Sequence, residues 1–438
     1  MKTPRQTAFE ILMRVEKDKA FSNKALDNAL KKLEYSRQDS VFVSALVYGV
    51  LERRITLDYQ IARFLTKSIK RLKPDVLTIL RMGVYQLWYM DKVPDSASVN
   101  ESVKLAKNNR CEYSSGLINA VLRKATKTEL VYPEKTDFLE FLSVRYSVEK
   151  WIAQLFVASY GEENAVAVLE DSFGRAPIYI RVNTLKTTKA ELKTLLTEQG
   201  IEVEETDIVD NALLIRNFDS IYKNDLYQNG YFHIQDLASQ LCCMALSPQK
   251  GETLIDMCSA PGGKSFTSAE IMDNEGEIRS YDLYDHKIEL IKSGVERLGI
   301  DIINANVRDS SVLDKLEKKA DRVLCDAPCS GLGTIRRKPE IRYKNFEEIS
   351  SLPDIQLEIL KNAAEYVKIK GILVYSTCTL NREENECVVE RFISNNPDFE
   401  VVPCLEHLDC FRYKDMVTLM SHKNSTDGFF VCKMVRKK

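Results

Sequence analysis

The stretch TLIDMCSAPGGKS, Thr253 to Ser265, decides how the second half of the chain is read. Its first residues are a short apolar run of strand character, followed by a turn of small side chains. Gly262 and Gly263 let the backbone approach a ligand closely, and a helix starting there presents N–H groups without partners of their own. The tail GGKS is shared with the phosphate-binding loop of nucleoside triphosphatases, but that loop requires glycine where this chain has Cys258. The dinucleotide fingerprint GxGxxG fails too, because the two glycines are adjacent.

Outward from this loop the same pattern repeats. EIRSY, RVLCD and ILVYS, beginning at Glu277, Arg322 and Ile372, each read as a strand followed by a turn and a helical stretch. From residue 231 to 438 this predicts an α/β, Rossmann-like domain with a mainly parallel sheet and helices on both faces. Ligands on such sheets bind beyond the carboxyl ends of the strands. Asp282 lies about twenty residues after the glycines, the place of a carboxylate that accepts hydrogen bonds from ribose hydroxyls. Asp309, in NVRDSS, is placed to meet an adenine amino group, and Asp326 ends the next strand. Carboxylates in succession suit a nucleoside such as S-adenosylmethionine better than a triphosphate, whose charge they would repel.

The fourth strand runs into DAPCSG, Asp326–Gly331, and the fifth into STCTL, Ser376–Leu380. Enzymes that methylate exocyclic amines commonly carry an acid or amide, two prolines and an aromatic at the first of these places; here the aromatic is replaced by Cys329. Cys378 reaches the same rim. Two thiols beside a methyl donor point to covalent chemistry on an unreactive carbon such as C5 of cytosine. A thiolate adding to C6 makes C5 nucleophilic, and a carboxylic acid near N3 stabilises the charge that develops in the ring. The attacking thiol needs its pKa brought below the ordinary value of about 8.5. These residue types leave open which cysteine attacks.

The rest of the chain reads differently. Residues 1–128 have helical periodicity (Ala8, Leu12, Val15; Leu77, Leu80, Val84, Leu87) and predict an all-α domain, with Pro74 and Pro94 marking helix starts or loops. A linker over 129–144 follows. Residues 145–230 read as a small α+β module, with a helix near Trp151–Tyr160, a strand in IYIRVN, and Thr187 or Thr188 capping the next helix. Net charge is −2, but residues 1–145 carry 26 Lys and Arg against 17 Asp and Glu, while the remainder carries 36 against 47. A basic front on an acidic body suits a module that holds a polyanion. Eleven cysteines with no CxxC pair and only 4 histidines argue against a disulfide framework or a structural zinc site. With no apolar signal core or membrane-length run, the chain is expected to be cytoplasmic.

Together DMCSAPGGKS, DAPCSGLGTIRRKPEIRYK, STCTLNREENE and DGFFVCKMVRK resemble the Sun family of RNA cytosine-C5 methyltransferases, and most closely its branch that modifies bacterial small-subunit ribosomal RNA. The resemblance covers essentially the whole chain. It implies a NusB-like RNA-binding domain in front, a small RNA-contacting module, and an S-adenosylmethionine-dependent catalytic domain. It also implies methylation of cytosine 967 of 16S rRNA by a monomer without a metal. By the same resemblance Cys378 is the nucleophile, Cys329 serves product release, and Asp326 contacts the target base. Cys258, Ser259, Ala260, Pro261, Gly262, Gly263 and Lys264 hold the donor's methionine end, with Asp282 and Asp309 on its ribose and adenine and Asp326 at the donor's edge. Ser259 stands where the family usually has alanine and Thr379 where serine is common. Behind DAPC, Arg336, Arg337, Lys338 and Arg342 are expected to clamp phosphates beside a base swung out of its stack.

Overall fold

The computed structural model describes residues 2–18, 22–32, 35–216 and 221–438. They form two units: Met1–Phe173 with Arg337–Asn345, and Gly174–Arg336 with Phe346–Lys438. Among the described residues no helix is long and apolar enough to cross a membrane, and no cluster of His, Cys, Asp or Glu is arranged to hold a metal ion.

The first unit is helical throughout its front. Helices run over Pro4–Asp18, Ser22–Lys32, Arg37–Glu52, Arg54–Phe64, Pro74–Tyr89, Asp95–Asn108 and Ser115–Ala125. Pro74 takes the first helical position, where its missing N–H costs nothing, and Pro94 is an N-cap. Ala8, Leu12, Leu80 and Val84 lie in the core, with Val15, Leu77 and Leu87 packed against it, so the helical spacing sorted these side chains correctly. Within that core Arg81 donates two bonds of 2.7 Å to Asp58.

This unit extends further than the periodicity suggests. Residues 129–144, expected as linker, contain most of a helix, Phe138–Tyr146. The next helix, Lys150–Asp171, broken at Gly161, lies in the same compact unit. The cause is packing and polar pairing: Ile152, Ala153 and Phe156 are fully buried, Thr56 donates to the Val144 carbonyl at 2.6 Å, and Ser147 accepts from the Ile55 N–H at 2.9 Å.

The second unit holds two sheets. The smaller is antiparallel, in the order β2-β3-β1-β4: β1 Ile178–Val182, β2 Glu202–Glu205, β3 Ala212–Arg216 and β4 Phe232–Ile234. Thr188 caps its helix, Lys189–Glu198, in a reciprocal box with Glu191. Arg181 of β1 pairs with Glu270 at 2.9 Å, both buried, which fixes this sheet to the helix Gly263–Ile271.

The larger sheet contains β5 Thr253–Asp256, β6 Glu277–Asp282, β7 Ile303–Val307, β8 Ala320–Asp326, β9 Val367–Thr377, β10 Phe399–Val402, β11 Phe411–Tyr413, β12 Met416–Leu419 and β13 Phe429–Arg436. The order is β11-β12-β13-β9-β8-β5-β6-β7, with β10 on β13. β7, β6, β5, β8 and β9 are mutually parallel, and β13 enters antiparallel beside β9. Successive residues serve opposite faces. Leu254, Leu324, Val374 and Val431 join one core with the helices Leu237–Leu246, Gly263–Ile271 and Asp285–Leu298. Ile255, Val323, Leu373, Tyr375 and Phe430 join the other with Leu352–Glu365 and Glu386–Asn395. Both faces are therefore covered, as near-continuous apolar strands require. The chain turns to the far side of β5 when β8 follows β7, and this reversal opens a crevice above β5 and β8.

Residues 337–345 leave the second unit and are built into the first. Arg342 is fully buried there and donates to the Tyr146 carbonyl at 2.9 Å and to the Ser172 carbonyl and hydroxyl at 2.6 and 2.9 Å. Its guanidinium lies 4.5 Å from the Phe173 ring centre. Burial lowers its pKa to about 10, which leaves it charged at neutral pH. The neighbouring Tyr343 accepts from the Arg54 N–H at 3.0 Å and stacks under the Arg54 guanidinium at 3.8 Å. Arg342→Ala would strand several buried acceptors, so unfolding in urea should show a loss of about 2–4 kcal/mol. Stability within 0.5 kcal/mol of wild type, roughly the scatter of surface substitutions, would contradict that role.

Candidate active site

The loop after β5 is shaped by local chemistry. Gly262, at φ +107°, caps the helix Gly263–Ile271 without any side-chain bond, and a Cβ there would lie 2.4 Å from the Phe266 ring. Only glycine fits both demands. The Ser259 N–H and hydroxyl donate to the Tyr281 carbonyl at 2.8 and 3.0 Å, tying the loop to β6. At the end of β6 the Asp282 carboxylate accepts from the Ala260 N–H at 3.3 Å and pairs with Lys287 at 3.2 Å. Asp309, exposed two residues past β7, accepts from the Ser311 N–H at 2.9 Å and its hydroxyl at 2.6 Å. The two carboxylates thus follow neighbouring strands, while Asp256 is buried beneath the loop and accepts from Ser265 at 2.7 Å.

Lys264 points away from any phosphate role. Its ammonium meets Asp326 at 2.6 Å, and Ser376 donates to the other oxygen of that carboxylate at 2.7 Å. Burial works against the charge on Lys264, but Asp326 overrides it and holds the pKa above its ordinary value.

Past Asp326, the Cys329 and Cys378 sulfurs approach to 3.3 Å without forming a disulfide. The Cys329 pKa is pushed well up, first by its hydrogen bond to Cys378, then by burial and by the charges of Glu384 and Asp326. Either thiol can donate in this contact, and the raised pKa favours the protonated form of Cys329. The two thiol loops are stitched together by a residue that sequence reasoning passed over. The buried Glu384 accepts from the Ser330 N–H at 2.8 Å, from Gln356 at 3.0 Å and from Asn381 at 3.0 Å. Ser330 and Thr379 hydroxyls bond at 2.7 Å, so the threonine found in place of the family's serine retains its group. Gly333 donates to the Cys378 carbonyl at 3.0 Å and accepts from the Gly428 N–H at 2.9 Å. A Cβ at Gly333 would stand 1.9 Å from the Gly428 carbonyl oxygen, which brings the terminal DGFF motif into the same cluster.

The expected phosphate clamp is divided. Arg336 donates to the Arg175 carbonyl at 3.0 Å, Arg337 is partly buried and Lys338 is exposed. Arg342 is corrected: enclosed in the first unit, with both terminal guanidinium nitrogens bonded there, it is not available to a phosphate. A charged residue in a basic run gives no local sign that its partners lie at Tyr146 and Ser172.

Comparison with known proteins decides the kind of site. Residues 243–435 match the family described as 16S rRNA methyltransferase RsmB/F, residues 2–127 the NusB family, and residues 148–221 the ferredoxin-like domain of RsmF/B-like methyltransferases. A probable ribosomal RNA small subunit methyltransferase B of Bacillus subtilis is 37% identical over 99% of this chain and 98% of its own length. The chain belongs to the RsmB/F family of 16S rRNA methyltransferases. The Vibrio cholerae ribosomal RNA small subunit methyltransferase B is 30% identical, covering 86% of this chain and 87% of its own. The crystal structure of PH0851 superimposes with a TM-score of 0.85 at 27% identity, over 99% of both chains.

Members of this family draw the methyl group from S-adenosylmethionine, and the crevice suits it. Carboxylates close β6 and follow β7 where a nucleoside's hydroxyls and amine need acceptors, and the glycine loop leads into a helix start with no side-chain cap. Lys264 answers Asp326 instead of a triphosphate.

Burial pushes the Asp256 carboxyl up to about 7 from an ordinary 3.8. The folded state thus holds a proton that the unfolded chain releases. This contribution to stability is full below pH 3.8 and is lost as pH rises to about 7. Urea unfolding of Asp256→Asn between pH 5 and pH 8 should show a flatter fall in stability than wild type; parallel curves would contradict the assignment.

Proposed function

We propose that the chain methylates C5 of a cytidine, cytosine 967 of 16S rRNA, through a covalent adduct with Cys378. What carries this reading is the approach of two thiols, one on each strand-end loop, beside an acid held by a lysine and a serine. S-adenosylmethionine supplies a methyl group on a positively charged sulfur that leaves as a neutral thioether.

Cys378 attacks as the thiolate. Its sulfur forms a bond to C6, the C5=C6 electron pair becomes available at C5, and C5 takes the methyl group. Asp326, steadied by Lys264 and Ser376, is assigned the contact with the target base, and the Lys264 ammonium beside it offsets the negative charge that collects in the ring. The product must then lose its C5 proton. In the adduct Cys378 is a neutral thioether, so the largest influence that kept Cys329 protonated is gone. Cys329 releases its proton to solvent and, as the thiolate, takes the C5 proton; the C5=C6 bond re-forms, and the bond from C6 to Cys378 breaks to return its thiolate. The two thiols divide attack and release between them.

RNA contact is assigned to Arg336, Arg337 and Lys338 beside the catalytic loop, to the NusB-like residues 1–128 with the basic charge of the front, and to the small module within 145–230. The reading is of a cytoplasmic monomer that needs no metal. In a deletion strain, bisulfite sequencing of 16S rRNA should show cytosine 967 unmodified. Wild type should restore the mark, and Cys378→Ala should not. A mark that persists without the gene, or returns with Cys378→Ala, would refute the assignment.

A further inference from the structure

Asn385 is the N-cap of the helix Glu386–Asn395. Asparagine is favoured at such a position because its side chain accepts from a backbone N–H of the first turn. Here the side chain makes no capping bond. It is fully buried and engaged elsewhere: Oδ1 accepts from the Thr377 hydroxyl at 2.5 Å, and Nδ2 donates to the Thr379 carbonyl at 2.9 Å. Thr377 and Thr379 are the two neighbours of Cys378. One amide thus holds the chain on both sides of a thiol and forgoes the helix cap.

The residue before it does the same for the other thiol. Glu384 accepts from the Ser330 N–H at 2.8 Å, and Gln356 Nε2 donates both to the Pro328 carbonyl at 2.9 Å and to Glu384 at 3.0 Å. Pro328 and Ser330 are the two neighbours of Cys329. Gln356 and Glu384 are also fully buried. The Tyr375 hydroxyl, from β9, donates to the Glu384 carbonyl at 2.6 Å and so pins the peptide group that joins the two grips. Holds built on consecutive residues leave the sulfurs little freedom to move apart from their 3.3 Å approach. The holds differ in charge. The amide at Cys378 is neutral, whereas the Glu384 carboxylate is among the influences that keep Cys329 protonated.

We propose that Glu384 and Asn385 are positioning residues that give the thiols their separate steps: Asn385 aims Cys378 for attack on C6, and Glu384, with Gln356, holds Cys329 for release. The proposal rests on the reading of Cys378 as the nucleophile, and its test contains a control for that reading alone.

The test uses full-length protein, a 16S rRNA transcript and S-adenosylmethionine, with the protein–RNA adduct followed over time by denaturing electrophoresis. In the Cys329→Ala parent the adduct accumulates, and its rate of formation reports attack. Adding Asn385→Ala should slow that rate about tenfold or more, and at least about fivefold more than adding Glu384→Gln does, because a misaimed nucleophile loses much of its rate. With both thiols present, Glu384→Gln should let an adduct band persist, since a glutamine has one acceptor oxygen for the donors Ser330, Gln356 and Asn381 and release then stalls. Asn385→Ala with both thiols present should give no band. Should Asn385→Ala fail to fold, Thr377→Val in the Cys329→Ala parent decides: it removes one of the two bonds and should slow adduct formation about threefold or more. Equal slowing by Asn385→Ala and Glu384→Gln would assign both a merely structural role and overturn the proposal. So would adduct formation unchanged within about twofold by Asn385→Ala or, in its place, Thr377→Val, and so would the lack of a band from Glu384→Gln with both thiols present. No band from the Cys329→Ala parent would instead overturn the assignment of attack to Cys378.

Discussion

Lys264 and Asp326 meet at 2.6 Å between the loop after β5 and the end of β8, and Ser376 of β9 holds the second carboxylate oxygen. Three strand ends are thereby fixed to one another by one charge-assisted contact. A buried pair of this kind adds little net stability, because desolvating two charges costs nearly what their attraction returns. Its effect is geometric: losing either partner strands the other, at about 3–5 kcal/mol, so other arrangements of the loops are excluded. The loop after β5 and the two loops that carry the thiols consequently share one frame.

The second frame is Glu384. It receives the Ser330 N–H from the first thiol loop and is anchored through Asn381 to the second, while Gln356 joins it from a helix on the opposite face of the sheet. With the Gly333–Gly428 contact and the Lys264–Asp326 pair, this packs four separated motifs into one cluster. Their co-occurrence along the chain thus has a physical cause, since each supplies a wall or a bond that the others need.

Local signals made much of this legible. Leu254 and Ile255 alternate into opposite cores, and β5 reads as a strand because apolar neighbours with a glycine turn behind them leave few alternatives. Cys329, Cys378, Asp282 and Asp309 were singled out because strand ends are where α/β sheets bind ligands. What escaped depends on distant partners. Glu384 looks like any acid in a polar run until its surroundings are folded. Arg342 was misread for the same reason: nothing near it in sequence announces acceptors at Tyr146 and Ser172. The helix Phe138–Tyr146 inside the expected linker was not legible because it is short and is held by tertiary bonds from Thr56 and the Ile55 N–H, not by a strong helical pattern of its own.

The division of labour between the thiols is the central claim, and denaturing electrophoresis tests it most directly. Purified Cys329→Ala and Cys378→Ala proteins would each be mixed with substrate RNA and S-adenosylmethionine. With Cys329 absent, attack and methyl transfer proceed while release stalls, so a slow-migrating protein–RNA band should appear and should require both RNA and donor. With Cys378 absent, nothing adds to C6 and no band should form. A band from Cys378→Ala and none from Cys329→Ala would contradict the assignment and make Cys329 the nucleophile.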